Sequence, residues 1–310
     1  MSETSVGDAH RIAVRKTYKL YIGGGFPRSE SGRVYAVSTP AGEFLANAAQ
    51  ASRKDTRDAV SAARGAFAGW SATTAYNRGQ ILYRVAELLE GRRDQFVAEV
   101  GQSEGISRRQ ATRLVGASID RWVWYAGWSD KIAQVLGGAN PVAGPYFDFS
   151  VPEPTGVVGV IAPQSSSLLG LVSVLAPVMV TGCTAVVMAS EARPLPAVTL
   201  AEVLATSDVP AGVVNVLTGR TMELAPVLAA HMDVNAIDLV GAPADGVAEL
   251  QRAAASNVKR TYGHGARGAP GSSGSDGGPS DAASVWSRDP GLERIRAVVE
   301  IKTVWHPMGL

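Results

Sequence analysis

Between Gly156 and Glu191 the chain carries two short apolar runs separated by a longer one, and this spacing restricts the fold more than any other stretch. Val157 to Ile161 is a β-branched run that ends near Pro163. Leu168 to Thr181 is long enough and apolar enough for a buried helix, and Gly182 stops it. Thr184 to Met188 then reads as a second buried strand. A strand, a crossover helix and a second strand imply a parallel sheet, with its working edge at the strand C-termini.

The same alternation extends in both directions. Asp55 caps a helix that places Val60, Ala63, Phe67 and Trp70 on one face. Arg78 to Glu90 is a second helix, and Arg92 to Val135 reads as two more, broken near Ser103 to Ser107. Trp122, Trp124, Tyr125 and Trp128 fall at helical spacing, the usual mark of core or interface packing. Beyond Glu191, helices are expected at Leu195–Ala205, Leu224–His231 and Val247–Ala255. Strands are expected at Gly212–Leu217, Val234–Val240 and Val258–Thr261. The fold class is therefore α/β: a Rossmann-like parallel sheet flanked by helices over residues 18–262, preceded by a disordered tail at 1–17.

Gly263 to Ser284 is dominated by Gly, Ser, Pro and Ala, a composition that builds no packed core and behaves as a flexible coil. The linker is placed at 263–288. Residues 289–310 follow, with alternation over Ala297–Trp305 that reads as a strand. The net charge is +1 with both signs interspersed, which leaves no electrostatic footprint for nucleic acid or an anionic membrane. One cysteine permits no internal disulfide and suits the cytoplasm. Met1 to Arg15 has no continuous apolar run and does not read as a signal peptide.

Pro163-Gln164-Ser165-Ser166-Ser167, Gly182-Cys183-Thr184, Met188-Ala189-Ser190-Glu191, Gly212-Val213-Val214-Asn215-Val216, Leu239-Val240-Gly241-Ala242 and Asn257-Val258-Lys259-Arg260 together resemble the aldehyde dehydrogenase superfamily. The resemblance covers about 19–262 and 292–310, and Trp305-His306-Pro307 is most similar to the second module of the two-module family-16 enzymes. It implies a cofactor domain in which Glu191, Gly219 and Gly241 line the nucleotide site. It also implies an oligomerisation arm at 140–155 and a C-terminal strand that crosses to a neighbouring subunit. The pattern departs where chemistry is expected. Ser165 stands at the position of the family's oxyanion-binding Asn, Met188 at that of the ribose-binding Lys, and His264 at that of the general-base Glu. Ala242 replaces a Ser, and Asp245 brings negative charge toward the pyrophosphate position. The lobe that would carry the nucleophilic Cys is absent, and Cys183, at a helix-to-strand turn, reads as a small buried side chain.

These departures point to a non-catalytic structural subunit that assembles with a full-length aldehyde dehydrogenase or with a second copy of itself, binding no nucleic acid, membrane or metal. They imply no cofactor, with residual NAD(P) weak. Two alternatives stay open. One is an NAD(P)-binding regulator that uses Glu191, Gly219 and Gly241. The other is a chain that contributes to NAD(P)-dependent aldehyde oxidation within a partner complex.

Overall fold

The computed structural model describes residues 15–263 and 285–309. Its centre is a five-stranded parallel sheet in the order β10-β9-β6-β7-β8. These strands are β6 (Val157–Ile161), β7 (Thr184–Met188), β8 (Val214–Leu217), β9 (Ala236–Asp238) and β10 (Arg260–Tyr262). The β-branched runs give strands buried on both faces, the usual state of a parallel sheet. Strand alternation divides those side chains between two cores. Val158, Val160, Ala185 and Val187 join one core with helices α2 (Ala75–Gly91), α3 (Arg93–Glu104), α4 (Arg108–Ala126) and α6 (Leu169–Val180). Val157, Ile161, Val186 and Met188 join the other with α1 (Arg53–Ala72), α8 (Thr221–Ala230) and α9 (Val247–Ala255). All of α6 is buried, so its apolar composition reflects contact on every side rather than amphipathicity.

Local signals set the helix boundaries. Ser52 and Asp55 form a reciprocal capping box at the start of α1, and Ser107 and Gln110 form another at the start of α4. Gly182, at φ 92°, supplies the left-handed turn between α6 and β7. Helix α7 (Leu195–Leu204) and the short α5 (Ile132–Leu136) complete this part of the chain.

Two smaller sheets flank the centre. β1 (Thr17–Tyr18), β2 (Val34–Ser38) and β3 (Phe44–Ala49) form one. Thr17 pairs with Asn47, so the ordered fold begins within the expected tail, and residues 1–14 lie outside the described residues. β4 (Gly138–Asn140), β5 (Tyr146–Pro154) and β11 (Val299–Pro307) form the other, in the order β11-β5-β4. β5 lies within residues 140–155, the span of the expected arm. The C-terminal strand β11 lies antiparallel on β5 of its own chain from Val299↔Pro154 to Pro307↔Tyr146.

The linker boundary also moves. Residues 264–284, including His264, lie outside the described residues, but residues 285–288 pack against the protein. Trp286 is only 5% exposed, since a side chain of that size gains more from burial than a linker composition would. Ile295, in the one-turn helix α10 (Glu293–Arg296), and Val298 both reach the core under α4 and α6. No helix among the described residues is long and apolar enough to cross a membrane.

Candidate functional site

The C-terminal ends of the parallel strands open on a cleft of about 450 Å³ lined by residues that follow β6, β7, β8 and β9, among them Ser165, Glu191, Thr221 and Gly241. Trp286 closes one side of it. Of the residues assigned from sequence, Ser165, Glu191 and Gly241 therefore meet in one place. Gly219 does not line the cleft: it packs on Ala51, whose backbone nitrogen would lie 3.2 Å from an added Cβ. Its φ of 147° explains the glycine by backbone geometry rather than by a ligand.

Glu191 is the most constrained group of the cleft. Its Oε2 accepts the backbone N–H of Thr221 at 2.9 Å, and its Oε1 accepts from Arg220 Nη1 at 2.7 Å. The carboxylate thus caps the start of α8, where unpaired amides and the helix dipole favour negative charge. Its own backbone N–H donates to Gln164 Oε1 at 2.9 Å, and Gln164 Nε2 donates to the Ala162 carbonyl at 2.8 Å. Gln164 thereby staples the turn after β6 to the turn after β7. Sequence reasoning passed over it; the available signal was an amide side chain, both donor and acceptor, beside Ser165 at a strand end.

Gly241 is fixed by crowding. An added Cβ would sit 1.9 Å from the Ala162 carbonyl oxygen, so only glycine lets β9 and β6 converge there. Its N–H donates to the Ile161 carbonyl at 3.1 Å, and that of Ala242 donates to the Leu239 carbonyl at 2.9 Å. Both amides are used inside the protein, and neither is left for a phosphate.

No nucleophile is assembled among the described residues. Ser165 is exposed; its carbonyl accepts from Arg193, and no base among those residues hydrogen-bonds its hydroxyl. Cys183 is fully buried, its Sγ donating to the Val298 carbonyl at 3.2 Å, and burial pushes its thiol up. That is the inert structural role its position suggested. Among the described residues no cluster of His, Cys, Asp and Glu could hold a metal ion.

A second cavity, of about 350 Å³, lies behind the cleft and shares Trp286 as a wall. Its other walls include Arg121, Tyr125, Tyr262 and Arg294. Arg121 donates to Ser173 Oγ and to the carbonyls of Trp286 and Arg288, each at 2.8 Å. Arg294 pairs with the fully buried Asp238 and lies over the Trp286 ring, 5.4 Å from its centroid. Burial pushes the Asp238 carboxyl up, Arg294 opposing it in part. It pushes the Tyr125 hydroxyl up to about 12. Nothing in the sequence pattern marks this cluster, because its members are dispersed along the chain and Trp286 follows a low-complexity stretch.

The aldehyde dehydrogenase family profile matches residues 26–263. Retinal dehydrogenase 2 of Gallus gallus is 35% identical over 250 residues, covering 79% of this chain and 48% of that protein. The aldehyde dehydrogenase of Enchytraeus buchholzi is 34% identical over 250 residues, covering 78% and 49%. Among solved structures, the NAD+ complex of aldehyde dehydrogenase from Bacillus cereus matches with a TM-score of 0.74 at 27% identity, over 79% of this chain and 50% of that one. HpcC from Thermus thermophilus matches with a TM-score of 0.75 at 30% identity, over 79% and 47%. The chain spans about half the length of the relatives it matches.

Proposed function

The chain belongs to the aldehyde dehydrogenase family, and from that membership we propose that it is a non-catalytic subunit that assembles through its three-stranded arm with a full-length family member or with a second copy of itself. The observation that carries this reading is the contrast between the arm and the chemical positions. β11 completes the arm along the whole of β5, and Tyr146, Ile301 and Trp305 lie exposed on one of its faces. Tyr146 and Trp305 meet edge to face with centroids 5.7 Å apart, an ordered aromatic surface of the kind found at interfaces. By contrast, Ser165 has no base beside it among the described residues, and residues 263–298 are all that joins β10 to β11. Domains run to about 50 residues or more, so that connection is too short for a second α/β lobe. Loss of a nucleophile with its base removes roughly a millionfold in rate, and one oxyanion donor about a hundred- to a thousandfold.

In this reading the subunit is cytoplasmic and is closest to the second module of the two-module family-16 enzymes. It takes no nucleic acid or membrane partner. A second reading, nucleotide binding that regulates the assembly, is favoured by the cleft itself, where Glu191 and Gly241 converge at the strand ends, and by the likeness of the fold to that of a solved NAD+ complex of an aldehyde dehydrogenase.

The test is to purify the tagged chain from its own cells and weigh the intact complex. A stoichiometric species with a full-length aldehyde dehydrogenase, or a defined homo-oligomer lost on Trp305→Asp substitution, is the expected result. A monomer at all concentrations overturns the subunit reading.

A further inference from the structure

We infer that the cleft accepts a single nucleoside monophosphate and that Trp286 excludes the second half of a dinucleotide; this rests on the nucleotide-binding reading above. The sheet order gives the layout. Running from β8 through β7, β6 and β9 to β10, the residues beyond the strand ends are Thr221, Glu191, Ser165, Gly241 and then Trp286, which reaches the β10 side where Tyr262 and Gly263 line the cavity behind it. Ligands of such sheets lie across the strand C-termini. One laid there from the Glu191 end meets the indole of Trp286 before it crosses β10.

Trp286 is not placed to swing aside. Its carbonyl is held by Arg121, its ring is covered by Arg294, and Arg294 is anchored on Asp238. The used amides of Gly241 and Ala242 act in the same direction, since a pyrophosphate would need such donors. What remains fits one nucleoside. Both Glu191 oxygens retain a lone pair for a vicinal diol, and Arg220, half-exposed beside it, can meet a phosphate. One buried polar atom on a cleft-lining residue beside Glu191 has no partner in the protein, Thr221 Oγ1. Thr221 is 6% exposed, so that hydroxyl has been withdrawn from water without compensation, the state that a ligand hydrogen bond would relieve.

The experiment is calorimetric titration of the full chain with AMP and with NAD+. AMP is expected to bind, and NAD+ to bind about tenfold or more weakly, because its second nucleoside has no seat. Trp286→Ala should bring NAD+ within about threefold of AMP while leaving AMP unchanged, and Trp286→Phe, which keeps the bulk, should retain the wild-type ratio. NAD+ binding to the wild type as tightly as AMP overturns the exclusion by Trp286 but leaves the nucleotide reading intact. So does a ratio of affinities unmoved in folded Trp286→Ala. Binding of neither probe overturns both.

Discussion

Tyr21 meets the β8 end of the parallel sheet through its main chain, whereas the β10 end is reached by charged side chains from distant parts of the chain. At β8, the Tyr21 N–H donates to the Val216 carbonyl at 2.9 Å and the Val216 N–H donates back at 2.7 Å. The fully buried Asn215 joins them, accepting from the Gly23 N–H at 2.9 Å and donating to the Gly212 carbonyl at 2.9 Å. At β10 no strand pairs with the outer edge among the described residues. Instead Arg260 donates to the Val299 carbonyl at 2.6 Å, Arg294 pairs with Asp238, and Arg121 holds the carbonyls of Trp286 and Arg288. A backbone edge is neutral and insensitive to pH. One held by buried charges depends on each partner remaining paired, because desolvation is recovered only while the pair is intact.

The strongest way to break the β10 side is Arg294→Ala, which leaves Asp238 fully buried and unpaired. The expected loss is about 3–5 kcal/mol. Because burial raises the Asp238 carboxyl, the folded chain holds that proton more tightly than the unfolded chain. Its contribution to stability is therefore complete below the usual carboxylate range and is lost as pH rises through the raised value. Removing Arg294 raises it further. The deficit of Arg294→Ala relative to the wild type should narrow as the pH falls from about 7 toward about 4, as read by denaturant unfolding. A deficit that is flat with pH would show that Asp238 is not the group left exposed to the cost.

Asn215→Ala attacks the β8 side. It orphans the Gly23 N–H and the Gly212 and Ala185 carbonyls in a buried setting, for an expected loss of about 2–3 kcal/mol. Nothing that titrates is uncovered, so this deficit should stay constant over the same pH range. Parallel pH curves for the two variants would contradict the comparison.

Arg121→Lys gives a smaller and more local change. The charge stays, but a lysine cannot span Ser173 Oγ and two carbonyls as the guanidinium fork does, and about 1–2 kcal/mol is expected. Amide exchange should accelerate over residues 285–298 and stay unchanged at Tyr21 and Val216. Uniform acceleration would mean that the segment unfolds only with the whole domain.

The difference between the two ends also explains what could be read in the sequence. β6, α6 and β7 were legible because burial on all sides leaves an apolar run with a glycine stop, a signal carried by the residues themselves. The Gly212–Leu217 strand and its Asn215 belonged to the same recognisable pattern. Helix α8 was expected from Leu224 but begins at Thr221, because its cap is Glu191, thirty residues upstream, and a cap supplied by tertiary structure leaves no local mark. The β10 side was illegible for the same reason. Arg121, Asp238 and the stretch holding Trp286 and Arg294 come from three separate segments, and charged residues on a sequence read by default as solvated. The cleft was half legible: Glu191 and Gly241 line it at the strand ends, while Trp286 lies in the stretch read as linker and Gly219 lies outside the lining.

The smallest effect lies in how the chain enters the two edge strands. β8 is approached through Gly212, at φ 85°, where the absence of a Cβ makes the left-handed conformation costless. β10 is approached through Val258, at φ 56° and 92% exposed. A β-branched residue in that region is an outlier, costing roughly 1–2 kcal/mol relative to a right-handed one. The exposed side chain recovers almost nothing by burial. Asn tolerates the left-handed region and, unlike Gly, adds little freedom to the unfolded chain. Val258→Asn should therefore stabilise the protein by about 0.5–1 kcal/mol, seen as a higher denaturation midpoint with an unchanged slope. Gly212→Asn, by contrast, should destabilise it, because an added Cβ would lie 2.6 Å from the Ala62 carbonyl oxygen. If Val258→Asn left the midpoint where it is, the strain at the β10 entrance would be compensated by a contact of the valine side chain, and the asymmetry between the two entrances would disappear.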